Sequence, residues 1–120
     1  MKQGAVIEKW KFIKGYMNRY QISSFGRVLN VKTGRILKQT KDTRGFLKVS
    51  LRRDGQVKTY QVHKLVAEHF IGNKEGFSHI AFLDCNKENV KVSNLEYCML
   101  DYLLDLKEKH KKQKLHFYVT

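Results

Sequence analysis

The side chains best suited to acid–base or metal chemistry in this sequence are five histidines, two cysteines and the polar run Asp84-Cys85-Asn86-Lys87-Glu88-Asn89. Histidine moves protons near neutral pH, and carboxylates and amides hold hard cations. The spacing restricts what these groups do. His63 and His69 lie six residues apart, not at the i, i+4 spacing that sets two zinc ligands on one helical face. They read as core or capping residues. His79 precedes the polar run, and His110 and His116 sit in a basic tail where they read as solvated. Cys85 and Cys98 are too few for a cysteine-rich zinc site and read as reduced thiols. The stronger chemical signal is electrostatic. Net charge is +13, which suits a polyanionic partner. The candidate phosphate contacts are Lys11, Lys14, Arg19, Arg27, Arg35, Lys38, Lys41, Arg44, Lys48, Arg52 and Arg53. Trp10, Tyr16 and Tyr20 have the chemistry to stack on bases, but core packing is their commoner use.

The charge is lopsided. Up to Val62, 15 lysines and arginines face only Glu8, Asp42 and Asp54, a net +12. The same half reads as short strands. Val28–Val31 and Arg35–Lys38 flank the turn Lys32-Thr33-Gly34. Leu47, Val49 and Leu51 alternate with Lys48, Ser50 and Arg52, giving one apolar and one basic face. Asp54-Gly55 is a hairpin turn signal, and Val57–Val62 is the returning strand. From His63 the period changes. Val62, Leu65, Val66, His69 and Phe70 have helical spacing, and Gly72 ends that helix. Phe77–Leu83 reads as a strand and Val90–Val92 as a second short one. Ser93-Asn94-Leu95-Glu96 reads as a capping box that opens a helix running through Leu103 and Leu106 to about Lys109. The tail then frays or extends the helix, and Phe117-Tyr118-Val119 pins the C-terminus or forms a last strand.

The chain holds no proline, no low-complexity segment and no linker. At 42% apolar residues it is globular rather than disordered. The expectation is an α+β fold: a basic β-rich module at 1–62, then a ββα unit with a C-terminal helix and basic tail at 63–120. No leader and no apolar run near ~20 residues is visible, so the reading is a soluble, cytoplasmic protein with no membrane partner.

Several words of the sequence, in order, resemble phage-type HNH homing endonucleases. Trp10-Lys11-Phe12-Ile13-Lys14-Gly15-Tyr16, Tyr20–Val28 and Gly34–Lys38 are similar to the small DNA-associated module of those proteins. Tyr60–Ile71 is similar to the segment before the HNH site. Leu83–Asn89 and Val92–Tyr97 resemble its loop and closing helix. The resemblance implies double-stranded DNA as partner and a bacterial host cell as location. It also implies a centre in which histidine activates water and flanking residues hold one divalent metal. Where the family reads Asn/Asp-His-Ile-Asp-Gly-Asn, this chain reads Ala81-Phe82-Leu83-Asp84-Cys85-Asn86. The resemblance therefore puts Phe82 at the base, Ala81 at the first ligand and Leu103 at the helix ligand. None can accept a proton or hold a hard cation.

The resulting expectation is a DNA-binding protein with no catalytic residues and no metal or other cofactor, serving a phage as a regulatory or DNA-protecting factor. Arg27 is the contact that the resemblance favours. Two alternatives stand beside it. One is a phage-encoded inhibitor that grips a host or anti-phage defence protein through Ala81-Phe82-Leu83. The other is an active, metal-dependent nuclease with displaced catalytic groups, for which His79 is the candidate base. Three residues from Phe82 on a strand, His79 is expected to face the other way.

Overall fold

Alternation and turn chemistry settle the first half of the chain. In the computed structural model, which describes residues 7–73 and 75–119 with side chains through Lys109, β1 (Trp10–Phe12), β2 (Tyr20–Ser23), β3 (Val28–Asn30) and β4 (Arg35–Ile36) form an antiparallel meander. The β3–β4 turn is closed by Asn30, whose Oδ1 accepts the amides of Lys32 and Thr33 at 3.1 and 3.2 Å. β5 (Thr40–Lys41), β6 (Leu47–Arg53) and β7 (Gln56–Gln61) form a second antiparallel sheet. Asp54 and Gly55 both take positive φ, 52° and 77°, as the two-residue hairpin requires. Val49 and Leu51 point inward and are buried, while Ser50 and Arg52 point outward. Strands β3, β4, β6 and β7 match the sequence reading to within two residues at each end, while β1, β2 and β5 carry no alternation that the reading used.

Helix α1 (Val62–Phe70) follows directly and buries Val62, Leu65, Val66 and Ala67. Strands β8 (His79–Phe82) and β9 (Leu95–Cys98) pair antiparallel, Phe82 opposite Leu95, and α2 (Leu100–Val119) closes the ββα unit. One continuous core links Ile13, Ile22 and Val28 of the meander with Val49 and Leu51, α1, Phe82, Val90 and Leu95. Among the described residues no helix is long and apolar enough to cross a membrane.

Two expectations fail in the second half. Val90–Val92 is not a strand; the second strand is Leu95–Cys98, preceded by one 3₁₀ turn at Val92–Asn94. Ser93-Asn94-Leu95-Glu96 therefore caps no helix. Leu95 and Cys98 are buried with Glu96 facing out, so pairing with β8 wins over helical capping. The helix begins at Leu100, and its backbone continues as helix through Val119 rather than ending in a strand. The side chains of Phe117, Tyr118 and Val119 lie outside the described residues, as do those of His110 and His116.

Glycine matters most at Gly26, where the meander docks on the ββα unit. Its φ is +90°, and a Cβ there would sit 2.2 Å from Cγ2 of Val90. Beside it the amide of Val92 donates to the carbonyl of Ser24 at 2.8 Å.

Candidate nucleic-acid interface and nuclease-like centre

Two regions carry the chemistry. The first is the outer face of the β5–β7 sheet. Strand register sets Lys48 opposite Gln61, Ser50 opposite Thr59 and Arg52 opposite Val57, and alternation puts these six on one face. Thr40 joins them opposite Lys48. Ser50 and Thr59 share a hydroxyl hydrogen bond of 3.0 Å, and Arg52, Thr59 and Val57 are exposed. A flat polar ribbon with cations at two levels is the result.

The other predicted phosphate contacts divide into tethered and outward groups. Arg27 donates to Glu8 through Nε at 2.9 Å and Nη2 at 2.5 Å, and its guanidinium lies 5.4 Å from the Trp10 ring. That pairing holds the Glu8 carboxyl below its ordinary range. Lys11 Nζ donates to the carbonyl of His69 at 2.8 Å and sits over the Phe70 ring, tying β1 to the end of α1. Arg53 Nη1 donates to the carbonyl of Gly15 at 2.5 Å, bridging the two sheets. Lys41 pairs with Glu88 at 2.7 Å. Lys14, Arg19, Arg35 and Lys38 are exposed around the meander, and Arg44 stands at the edge of the second region. The structure thus spreads these cations over both sheets rather than gathering all of them on one surface. The Glu8 partner of Arg27 had no signal in local spacing, because it comes from a segment 19 residues away.

The aromatics of the meander are structural. Tyr16 and Tyr20 are buried, and the hydroxyls of Tyr16 and Tyr60 are 2.7 Å apart. Burial, then that hydrogen bond, pushes the Tyr16 phenol up to about 12. Trp10 is half-buried beneath Arg27.

The second region is an open cleft of about 840 Å³ between α1, β8 and the first turns of α2. Phe82 and Leu103 both line it, together with Phe46, His63 and His79. The Phe82 ring packs 6.0 Å from Phe46 and 5.0 Å from His63, and Phe46 lies 5.1 Å from His63. Ala81 is fully buried. Leu103 stands in the first turn of α2, not two turns in, because the helix starts at Leu100 rather than directly after a cap at Ser93. Among the described residues no three His, Cys, Asp or Glu side chains converge as a metal site needs. Ala81, Phe82 and Leu103 offer no donor atom, so the side chains at these positions do not fit a divalent metal.

His79 also lines the cleft, with its Nδ1 2.9 Å from the Ser78 hydroxyl. The apolar run Ala81-Phe82-Leu83 is not a contiguous exposed grip, since only Leu83 is exposed. His63 is the residue that sequence reasoning under-used. It is 5% exposed, its Nδ1 has no partner among the described residues, and burial pushes it down to about 4. His69 is a tie, as expected. Its Nε2 accepts the amide of Lys14 at 3.2 Å, which leaves Nδ1 as the donor to the carbonyl of Leu65 at 2.8 Å.

The loop that frames the cleft is rigid for a reason. Buried Asn94 accepts the Asp84 amide at 3.0 Å and donates to both the Asp84 carboxylate and the Asn89 carbonyl at 2.9 Å. Asn89 donates to the other Asp84 oxygen at 2.9 Å, which with the Asn86 amide and Asn94 holds that carboxyl below its ordinary range. Cys85 adopts φ 61° inside this loop, a conformation that glycine takes without strain.

Comparison with known proteins agrees with this architecture. The NUMOD4 motif matches residues 8–52, covering the meander and most of β6. DNA endonuclease I-HmuI of Bacillus phage SP01 is 39% identical over 89 residues, 74% of this chain and 51% of that protein. A solved structure of DNA binding and cleavage by the HNH homing endonuclease I-HmuI superposes with a TM-score of 0.76 at 34% identity, covering 89% of this chain and 65% of that one. The chain is thus similar to HNH homing endonucleases through both the NUMOD4-matching meander and the ββα unit. Acanthamoeba polyphaga mimivirus has two further similar HNH endonucleases. One is 39% identical over 77% of this chain, the other 33% over 92%, each across 27% of the viral protein. This homing-endonuclease relative thus spans about half the length of I-HmuI and about a quarter of the mimiviral proteins.

Proposed function

We propose that this chain binds double-stranded DNA and does not hydrolyse it, acting as a regulatory or DNA-protecting factor in a phage-infected cell. The observation that carries the reading is the filling of the centre. Phe82 occupies the base position and is packed against Phe46 and His63, Ala81 is fully buried and Leu103 lines the cleft. A phenyl ring cannot take a proton from water, and two alkyl groups cannot hold the metal that would stabilise a leaving oxygen.

Binding has its own support. The β5–β7 face presents Lys48 and Arg52 with Ser50, Thr59 and Gln61 between them. The major groove admits a β-ribbon, and arginines, amides and hydroxyls contact phosphates and base edges there. I-HmuI is named as a DNA endonuclease, so duplex DNA is the partner that the relatives suggest. The test is fluorescence anisotropy of a labelled duplex across a salt series. A steep linear fall of log affinity with log salt is expected. Affinity that is flat in salt, or absent at low salt, would overturn the reading.

A further inference from the structure

We propose that the cleft between α1, β8 and α2 takes a single nucleotide, its base against the aromatic floor and its phosphate at the cationic rim. This goes beyond duplex binding by the sheet; only the version in which DNA supplies the nucleotide rests on that reading. At about 840 Å³ the cleft falls within the range of small-ligand sites. Phe46, His63 and Phe82 make a floor of three adjoining rings. Arg44, Lys87 and Lys107 stand at its edge. Lys87 is held there: its Nζ donates to the Arg44 carbonyl at 2.9 Å and lies 4.9 Å from the Phe46 centroid.

These features fit one ligand chemistry together. Any nucleobase offers a π-face to aromatic rings, so the contact tolerates different bases. A phosphate attached to it meets the rim. His63 lines the cleft, is 95% buried and has an Nδ1 with no partner among the described residues. A purely apolar ligand would leave the cationic rim unused, and an inorganic anion would leave the aromatic floor unused. The nucleotide comes either from a strand, swung out of its stack, or from solution as a free mononucleotide.

The test uses the full chain and two duplexes that differ by one unpaired, bulged nucleotide, plus dAMP followed by calorimetry. Anisotropy should show the bulged duplex binding about tenfold tighter. L103W fills the cleft from a half-buried position on α2. It should abolish the preference and leave matched-duplex affinity within about twofold. K87E reverses charge at an exposed rim position and should weaken the preference should L103W not fold. A bulge preference without saturable dAMP binding assigns the nucleotide to DNA; saturable dAMP binding that L103W removes assigns it to solution. Failure of every duplex to bind, with saturable dAMP binding, sinks duplex recognition and leaves this proposal standing. Equal affinity for both duplexes together with no saturable dAMP binding overturns it, as does a preference untouched by L103W and K87E.

Discussion

The β5–β7 sheet and the ββα unit were shaped by opposite demands. On the sheet, Val49 and Leu51 are buried while Lys48, Ser50 and Arg52 share the outer face. In the ββα unit, the positions on which the proposed lack of hydrolysis rests, Phe82, Ala81 and Leu103, are apolar. The frame around them is nonetheless intact: β8 pairs with β9, and Asn94 locks the Asp84 loop. On that proposal the scaffold sheds its chemistry without shedding its fold, because the two rest on different residues. Packing and loop hydrogen bonds hold the unit together; a base and ligands contribute to reaction, and apolar replacements relieve the burial of polar groups.

The largest effect should come from loosening the meander from the ββα unit. G26A combines a positive φ with a Cβ 2.2 Å from Val90, and should destabilise the fold by about 3 kcal/mol or more. Urea denaturation measures this; a loss under about 1 kcal/mol would mean that the meander docks on the ββα unit less tightly than its geometry states. The next effect is a pH dependence lodged in the cleft. His63 is depressed from its ordinary value to about 4, so the unfolded chain binds its proton at higher pH than the folded one. Its contribution is complete above about pH 6.5 and is lost as pH falls toward 4, on the order of 3 kcal/mol. An H63F variant should flatten that part of the urea-midpoint profile between pH 7 and 4. An unchanged profile would show that other groups carry it.

On the sheet, K48A and R52A should each weaken duplex binding and lower the slope of log affinity against log salt by about one. Equal loss from alanine at Arg27, which already pairs with Glu8, would blur the distinction between outward and tethered cations. The smallest effect is expected at the loop. C85G relieves φ 61° but adds freedom to the unfolded chain, for a net gain of a few tenths to about 1 kcal/mol, read as a higher urea midpoint.

Much of the basic sheet was legible in the sequence because its signals are local. Alternation at Leu47–Arg52 and the Asp54-Gly55 turn fix the hairpin without help from distant residues. The α1 period is equally local. The ββα unit was legible in class and not in register. Ser93-Asn94-Leu95-Glu96 satisfies a capping pattern, but β8 supplies partners that no short-range pattern reveals, and Leu95 pairs with Phe82. The same holds for the cleft. Phe46, His63 and Phe82 lie far apart in sequence and meet only through tertiary packing.

The most direct test of binding without cutting is to hold supercoiled plasmid with saturating protein in magnesium or manganese, confirm the mobility shift, and then strip the protein and look for nicks. The account predicts a full shift with the plasmid still supercoiled. Nicked or linear plasmid that disappears with a chelator would contradict it and return His79 and its surroundings to the role of a working centre.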